Sequence, residues 1–445
     1  MLLTIEKLIY GGDGLARLPD SESSSEKHER GKAVFVPFVL EGEKIEASLT
    51  EQKSGFARAT AGHIVESSAH RVEPGCPHFT RCGGCHYQHS SYEHQLQIKE
   101  AILRETLRRT AKLELDSPIQ VHPSPPWNYR NRSRLQIRSQ PEFVLGYFQQ
   151  ASQQVLAVEQ CPISSPLINH GIAALWRLGL GGKVPEGVNE AEFFGNADDS
   201  RLLVELVCSE AARRASIRAF AEELKDATPD IAGVVLFREK EHRAPEKLLA
   251  VGEQFLTYQT HRGAFRVSAG SFFQTNRHLI DELVSIVTEG RSGRLAFDLY
   301  AGVGLFSTAL AGDFRHIVSV ESSQTSTGDL SYNLPSNGEA VQATTEQYLA
   351  RLENAERIGK GINLPYTHQP DLAVVDPPRS GLGESVARRL GKLGARQIVY
   401  VSCDPATVAR DVKLLLTAGY HVAQAHLVDM FPQTFHIESV FVLQR

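Results

Sequence analysis

Residues 294–304 read Arg294-Leu295-Ala296-Phe297-Asp298-Leu299-Tyr300-Ala301-Gly302-Val303-Gly304, an apolar run that ends in a glycine-containing turn. A helical pattern follows over residues 305–311, and further apolar runs at 316–321, 371–376, 397–402 and 436–443 are separated by helical or loop segments. Strands that alternate with helices are typical of a doubly wound, mostly parallel sheet. We therefore predict an α/β, Rossmann-like domain over residues 263–445.

The turn after this first strand predicts a nucleotide-type ligand. Gly302 and Gly304 allow a close approach of the backbone, and Glu321 ends the next strand, 19 residues after Gly302, where it can accept hydrogen bonds from ribose hydroxyls. NAD sites share this geometry. The third glycine that would accommodate a pyrophosphate is missing, however, and this favours S-adenosylmethionine, which carries no phosphate.

A second strand ends at a cysteine, in Ile398-Val399-Tyr400-Val401-Ser402-Cys403-Asp404-Pro405. A helix should begin near Ala406, and a helix N-terminus favours a thiolate. A buried core thiol is the alternative, because free cysteines are among the most buried residues, although Ser402, Asp404 and Pro405 are poor core neighbours. Cys403 is thus a candidate nucleophile for a soft electrophile such as C6 of a pyrimidine.

Covalent addition to C6 would solve a chemical problem at C5 of uracil. C5 is too weak a nucleophile to take a methyl group from a sulfonium directly, whereas addition of a thiolate at C6 makes it enolate-like. A base must then remove the C5 proton before the thiol can leave. Glu438, at the start of an otherwise apolar strand, is a candidate for that base, and a paired or exposed strand-end acid is the alternative.

Three cysteines, Cys76, Cys82 and Cys85, lie within ten residues, and Cys161 could supply a fourth from afar. Four thiolates suit tetrahedral zinc or a cubane iron–sulfur cluster, and the spacing alone slightly favours zinc. A disulfide framework is not expected in a long chain with six cysteines and a cytoplasmic location. Cys208 ends an apolar run and is predicted to be core.

The bulk composition predicts a cytoplasmic, globular protein without membrane segments. The chain has 445 residues, 42% of them hydrophobic, and a formal net charge of −5, which argues against non-specific coating of nucleic acid. Residues 94–138 nevertheless hold nine Lys or Arg against four Asp or Glu. Within them Arg130 and Arg132 are candidate RNA phosphate contacts, with an exposed, solvated strand as the alternative.

Three parts are expected along the chain. Residues 1–70 show short strands and turns that predict a small β-barrel, with a polar and mobile loop at 21–30. Residues 71–262 predict an α+β domain that begins with the cysteines and a long amphipathic helix over 91–113, which could pack on the last domain. Residues 263–445 form that last domain.

Taken together, these residues resemble the RNA uracil-5-methyltransferase family, most closely its iron–sulfur 23S rRNA branch, over essentially the whole chain. The resemblance implies that residues 1–70 are a TRAM domain, an OB-like RNA-binding barrel, and that the last domain is a class I methyltransferase. It also implies that the four cysteines, Cys76, Cys82, Cys85 and Cys161, bind a [4Fe-4S] cluster of structural role. The implied donor-site residues are Gln274, Tyr300, Gly302, Gly304, Glu321 and Asp376.

The activity implied by the resemblance is C5-methylation of a uridine in 23S rRNA from S-adenosylmethionine, with Cys403 as nucleophile and Glu438 as base. The alternatives are the same reaction on a tRNA T-loop uridine and a non-catalytic RNA-binding ribosome-assembly factor. No obligate protein partner is implied. The sequence departs from the family at Ala301, where cysteine is frequent, at Thr344, near the expected adenine, and in a long stretch at 351–368 predicted as a surface loop.

Overall fold

The structure is a computed structural model that describes residues 1–18, 31–241, 245–358 and 369–445. The loop predicted at 21–30 lies outside the described residues. None of the helices in these ranges is long and apolar enough to cross a membrane.

The first sheet has six strands in the order β1-β5-β6-β4-β3-β2. Apolar residues alternate along its strands and fill a core of its own, which includes Val34, Val36 and Ile45. Its strands are β1 (Leu2–Thr4), β2 (Lys7–Leu8), β3 (Asp13–Arg17), β4 (Ala33–Pro37), β5 (Lys44–Gln52) and β6 (Phe56–Glu66).

The predicted long helix is confirmed. Helix α1 (Tyr92–Thr106) continues into one π-helical turn at Leu107–Ala111 and is followed by the short strand β7 (Gln120–His122).

The second sheet has seven strands in the order β10-β9-β8-β11-β12-β13-β14 and is antiparallel except between β12 and β13. Two helices share its apolar core, in which Cys208 is fully buried as predicted. A separate hairpin, β15–β16, follows. The elements are β8 (Arg132–Arg138), β9 (Val144–Phe148), β10 (Val155–Ala157), α2 (Pro166–Leu180), β11 (Val188–Gly195), β12 (Leu202–Cys208), α3 (Arg214–Asp226), β13 (Ile231–Arg238), β14 (Glu246–Gly252), β15 (Phe255–Thr260) and β16 (Gly263–Ser268).

The third sheet has eight strands in the order β19-β18-β17-β20-β21-β23-β22-β7. The strands from β19 to β21 are parallel, and β23 runs antiparallel to both of its neighbours, which confirms the predicted doubly wound sheet. The elements are α4 (Ile280–Thr288), β17 (Gly293–Leu299), α5 (Leu305–Leu310), β18 (Phe314–Glu321), α6 (Gln324–Asn333), β19 (Gly338–Gln342), α7 (Thr345–Ile358), β20 (Leu372–Val375), α8 (Gly383–Leu393), β21 (Gln397–Ser402), α9 (Pro405–Thr417), β22 (His421–Val428) and β23 (Glu438–Gln444).

Helix α1 and strand β7 pack with this third sheet. Ile98, Ile102 and Leu103 of α1 share one apolar core with residues of α8 and α9, and β7 extends the sheet by pairing with β22. A buried ion pair between Lys99 Nζ and Asp429 Oδ1, 2.5 Å apart, adds a polar tie. The domain boundaries at 70 and 262 stay predictions, but residues 91–122 are physically part of the last sheet's body.

The long stretch predicted as a loop at 351–368 begins as a helix. Helix α7 continues to Ile358, and residues 359–368 lie outside the described residues. The loop prediction is therefore wrong for its first eight residues, which extend a helix that packs Leu349 into the core below the sheet.

Candidate active site

Four predicted side chains meet at the carboxyl edge of the third sheet. Tyr300 follows β17, Glu321 ends β18, Asp376 follows β20 and Cys403 follows β21. The chain order reverses between β17 and β20, because β18 lies on one side of β17 and β20 on the other. Open α/β sheets bind ligands at such a switch point.

Glu438 reaches the same edge from the opposite direction. Because β23 is antiparallel to β21, its first residue lies at the end where β21 finishes, and Ser439 pairs with Ser402. The carboxyl of Glu438 is therefore beside the position that follows Ser402, which is Cys403. Cys403 and Glu438 are far apart in the sequence, and the register of β21 with β23 brings them together.

The thiol of Cys403 is half-buried, and its pKa is raised to about 12. Burial is the main cause, followed by the negative charges of Glu438 and Asp376, while Arg379 acts in the opposite direction. The expected lowering by the N-terminus of α9 is not found. The Asp404 side chain caps that helix, accepting from the amides of Ala406 and Thr407 at 2.9 Å each, so these N–H groups are already used.

Two carboxyl groups lie beside this thiol. Glu438 is 5% exposed, and burial followed by the charge of Asp376 holds its pKa well above the usual range. Burial and the nearby Asp298 raise the pKa of Asp376 to about 7, against a hydrogen bond of 3.2 Å from Gln274 Nε2 to its Oδ2. Because like charges repel, ionisation of one of the three groups Cys403, Asp376 and Glu438 raises the pKa of the other two.

The predicted donor side of the site is built around the glycine turn. Glu321 accepts the Gly302 amide at 2.9 Å and the Ser323 amide at 2.6 Å, so its carboxylate joins the turn to the start of α6. Gly304 has φ +94°, and a Cβ there would lie 2.8 Å from Leu330 Cδ1, so a side chain would not fit without displacement.

Asp298, the last acid of strand β17, was not predicted as a site residue. It is fully buried, accepts from the Ser307 amide at 3.0 Å, and leaves its Oδ1 without a partner. Burial raises its pKa to about 6. Its place just before the glycine turn was the available sequence signal.

Tyr300 and Thr344 make contacts within the protein. Tyr300 has φ +71°, and its half-buried side chain packs against the core and hydrogen-bonds with Thr345. The hydroxyl of Thr344 accepts the Gln347 amide at 3.2 Å as part of the start of α7.

Three further groups at the site were missed. Arg379 lies beside Cys403 and Glu438, with its Nη2 3.5 Å from His436 Nε2, and it belongs to the Asp-Pro-Pro-Arg segment that also holds Asp376. Burial, and then Arg379, lower the pKa of His436 to about 3. Tyr10 comes from the first sheet, and its local sequence gave no signal of this position.

The four cysteines of the predicted cluster are half-buried and free. Cys161 lies close enough to the other three for its charge to raise their pKa values, after burial as the main cause, with Cys82 at about 11 and Cys85 at about 12. Backbone N–H groups face two of the sulfurs: His78 and Phe79 at Cys76, and Gly84 at Cys82. Within the described ranges, no three His, Cys, Asp or Glu side chains are grouped closely enough to hold a metal ion as they stand.

The two arginines predicted to contact RNA, Arg130 and Arg132, lie against other residues of the same chain. Arg130 lies against the cysteines, where its charge lowers the pKa of Cys82 and Cys85, and its Nε is buried without a partner. Arg132 donates to the Ser271 carbonyl at 2.7 Å and stacks 4.6 Å from the centre of the Phe194 ring. Their contact with RNA stays a prediction.

Comparison with known sequences gives two matches. The profile of the TRAM domain matches residues 1–61. The profile of the family described as tRNA (Uracil-5-)-methyltransferase matches residues 91–445, which is most of the chain.

Full-length relatives are similar to this chain throughout. An uncharacterized RNA methyltransferase of Aquifex aeolicus is 31% identical over 99% of this chain and 98% of its own length. The 23S rRNA (uracil(1939)-C(5))-methyltransferase RlmD of Halomonas elongata is 31% identical over 99% of this chain and 89% of its own.

A solved structure has the same overall fold. The crystal structure of the Pyrococcus abyssi tRNA (uracil-54, C5)-methyltransferase, in complex with S-adenosyl-L-homocysteine, superposes with a TM-score of 0.73. The match covers 100% of both chains at 23% sequence identity, a level at which the likeness speaks for the fold.

Proposed function

The chain belongs to the tRNA (uracil-5-)-methyltransferase family and is a methyltransferase with an N-terminal TRAM domain; from this premise we propose that it methylates C5 of a uridine in 23S rRNA. The observation that carries the proposal is the strand register that sets Glu438 beside Cys403, with Asp376 next to both. A nucleophile and a carboxyl base on one buried edge are what C5 methylation of a pyrimidine needs.

In the first step, the Cys403 sulfur adds to C6 of a uridine that has been flipped out of the RNA. The thiol proton passes to the carboxylate of Asp376, which leaves Glu438 ionised for the later step. In the resting protein the raised pKa of Cys403 keeps it as an unreactive thiol. A positively charged ligand next to Asp376 and Glu438 would offset their charges, so the thiolate would form when the substrates are present.

In the second step, the electron pair at C5 of the adduct takes the methyl group. S-adenosylmethionine, when bound, supplies that methyl group from a positive sulfonium. C5 then carries both a methyl group and a hydrogen, and Glu438 removes this hydrogen as a proton. The C6–S bond breaks, which restores the aromatic ring as 5-methyluridine and returns the thiolate. A raised pKa makes Glu438 a stronger base for this step.

The residues around the glycine turn fit the donor. The unpartnered Oδ1 of Asp298 is a buried acceptor available to an amino group. Glu321 keeps lone pairs free for ribose hydroxyls beyond the two amides that it accepts. Gln274 is 7% exposed and donates to Asp376 Oδ2 at 3.2 Å, so it would help to hold the donor beside that carboxyl.

A [4Fe-4S] cluster held by Cys76, Cys82, Cys85 and Cys161 is part of the proposal. Four thiols that influence one another, backbone N–H groups aimed at sulfur and a nearby guanidinium are suited to four permanent thiolates. With every thiol taken up as a ligand, the cluster would cross-link residues 76–85 to residue 161. No step of the reaction involves it.

The names of similar proteins support 23S rRNA as the proposed substrate. The Halomonas elongata enzyme that is 31% identical over nearly the whole chain is named for 23S rRNA. A tRNA uridine is the alternative, because the family description and the solved structure of similar fold both name tRNA.

The test is nucleoside mass spectrometry after incubation of the purified protein and S-adenosylmethionine with unmodified 23S rRNA or tRNA transcripts. We expect 5-methyluridine in the rRNA, none with Cys403→Ala, and wild-type formation with Cys208→Ala, which removes a thiol from the core of the second sheet. Product in tRNA alone would overturn the substrate, and product with Cys403→Ala would overturn the mechanism. Absence of product in both RNAs would contradict the proposed activity.

A further inference from the structure

A residue of the first sheet lies at the active site of the third. Tyr10 stands in the turn between β2 and β3, and its half-buried side chain is near Asp404, Cys403 and Arg379. Its hydroxyl lies beside the Asp404 carboxylate, and burial followed by the charge of Asp404 raises the pKa of the phenol, so the phenol stays neutral and can donate to that carboxylate.

The ring of Tyr10 is fixed by aromatic contacts. It meets the Phe435 ring edge-on, with ring centres 5.5 Å apart and planes at 90°. Phe435 in turn contacts the His86 ring at 4.6 Å and the His436 ring at 4.4 Å. Phe435 is three residues before Glu438, so the Tyr10 ring packs on the segment that leads to the proposed base.

The turn that carries Tyr10 is held against this segment. Gly12 lies so close to His86 that a Cβ at Gly12 would be 3.1 Å from the His86 Cβ. The amides of His86 and Tyr87 both donate to the Gln433 carbonyl, at 2.8 and 3.0 Å. The first sheet, the residues after the predicted cluster ligands and the loop before β23 therefore meet at this point.

Asp404 connects Tyr10 to the nucleophile. Its Oδ1 accepts the first free amides of α9, and its backbone directly follows Cys403. A hydroxyl placed beside this carboxylate can therefore restrain both the start of the helix and the direction of the Cys403 side chain.

We propose that Tyr10 is a positioning residue, which holds Asp404 and through it directs the Cys403 sulfur toward the pyrimidine. The first sheet is then a part of the active site in addition to an RNA-binding module. This inference rests on the proposed function for its catalytic meaning, but the contact itself can be tested without RNA.

The decisive variant is Tyr10→Phe, which keeps the ring on Phe435 and removes the hydroxyl. Tyr332→Phe is the matched control, because that side chain is 69% exposed on α6. The rate of covalent adduct formation with RNA that contains 5-fluorouridine is measured at saturating RNA, together with RNA affinity. We expect about tenfold slower adduct formation for Tyr10→Phe, with affinity within about twofold of wild type, and no change for the control.

An unchanged adduct rate would overturn the proposal. A loss of RNA affinity in proportion to the rate would also overturn it, because Tyr10 would then act as an RNA contact. If the wild-type protein forms no adduct, the proposed function fails, and the contact is judged on the protein alone.

A second measurement tests the contact on the protein without RNA. Cys403 is alkylated with iodoacetamide, and the modified peptide is quantified by mass spectrometry. Release of Asp404 should loosen the segment, so Tyr10→Phe is expected to react about threefold faster than wild type. Equal rates for Tyr10→Phe, Tyr332→Phe and wild type would overturn the positioning role.

Discussion

The chain uses cysteine in two contrasting places. At the edge of the third sheet, Cys403 lies among carboxyl groups whose charges add to the effect of burial in raising its pKa. At the predicted cluster, backbone N–H groups face Cys76 and Cys82, and Arg130 lies beside Cys82 and Cys85.

The two environments differ in whether they favour a permanent thiolate. Carboxylates around Cys403 disfavour a standing negative charge, which suits a nucleophile that is needed only when substrate is present. N–H donors and a guanidinium favour a standing charge, which suits ligands that stay deprotonated on a metal. Burial raises the pKa to about 12 at Cys403 and at Cys85 alike, and a guanidinium opposes it at each. The neighbours that add to burial differ, because they are carboxyl groups at Cys403 and the other thiols at Cys85.

The largest effect is expected at the proposed base. Glu438→Gln should lower turnover by about two to four orders of magnitude, while addition of Cys403 still proceeds, so that a covalent protein–RNA adduct accumulates. The measurement is denaturing gel electrophoresis with labelled RNA beside a turnover assay. Rapid release of methylated RNA by this variant would remove Glu438 from the role.

The predicted cluster should respond to the loss of one of its own ligands. Cys85→Ala is expected to lose iron, sulfide and the brown colour, and to melt several degrees lower, because a cross-link between residues 76–85 and 161 is gone. Iron and sulfide analysis with thermal unfolding checks this. Cys208→Ala is the control and should keep its metal. An equal iron content in both variants, or zinc in place of iron in the wild-type protein, would contradict the cluster assignment.

A smaller, pH-dependent effect is expected for Asp376→Asn. The pKa of Asp376 is about 7 in the folded protein and 3.8 ordinarily, so between these values the folded protein holds a proton that the unfolded chain has lost. Wild-type stability therefore falls as the pH rises from about 4 to about 7, and the deficit then stays constant. The asparagine variant lacks this penalty and should melt a few degrees above wild type at pH 8, and by less at pH 5.

The matched control is Asp226→Asn at the exposed end of α3, where the melting difference should be independent of pH. A difference for Asp376→Asn that is the same at pH 5 and pH 8 would show that burial does not hold the proton on this carboxyl.

The strands and the residues at their ends were predictable, and the electrostatics were not. Apolar runs predicted β21 with its observed bounds, and the rule that ligands gather at carboxyl ends placed Cys403, Asp376 and Glu321 together. The helix N-terminus was expected to favour a thiolate at Cys403. That expectation failed because burial and the charges of Glu438 and Asp376 raise the pKa of Cys403, and because Asp404 already accepts the first amides of the helix.

Contacts between distant segments were beyond sequence reasoning. Arg132 was placed correctly on a strand, but its partners, Ser271 and Glu192, come from other parts of the chain. Tyr10 reaches a residue almost four hundred positions away. Periodicity reports which face of an element is apolar, whereas the partner of an individual polar group is decided by tertiary packing.

The placement of strand β7 on the last sheet has a consequence for biosynthesis. His122 of β7 and His426 of β22, whose ring nitrogens are 3.0 Å apart, are separated by 304 residues. At about 5–20 residues per second, a ribosome needs roughly 15–60 s to make that intervening stretch. Until α8, α9 and β22 have been synthesised, the apolar face of α1 and the edge of β7 have no partners from the last sheet. Because the loop before β23 and Glu438 itself come last, a nascent or truncated chain would carry its TRAM domain before it holds the proposed base.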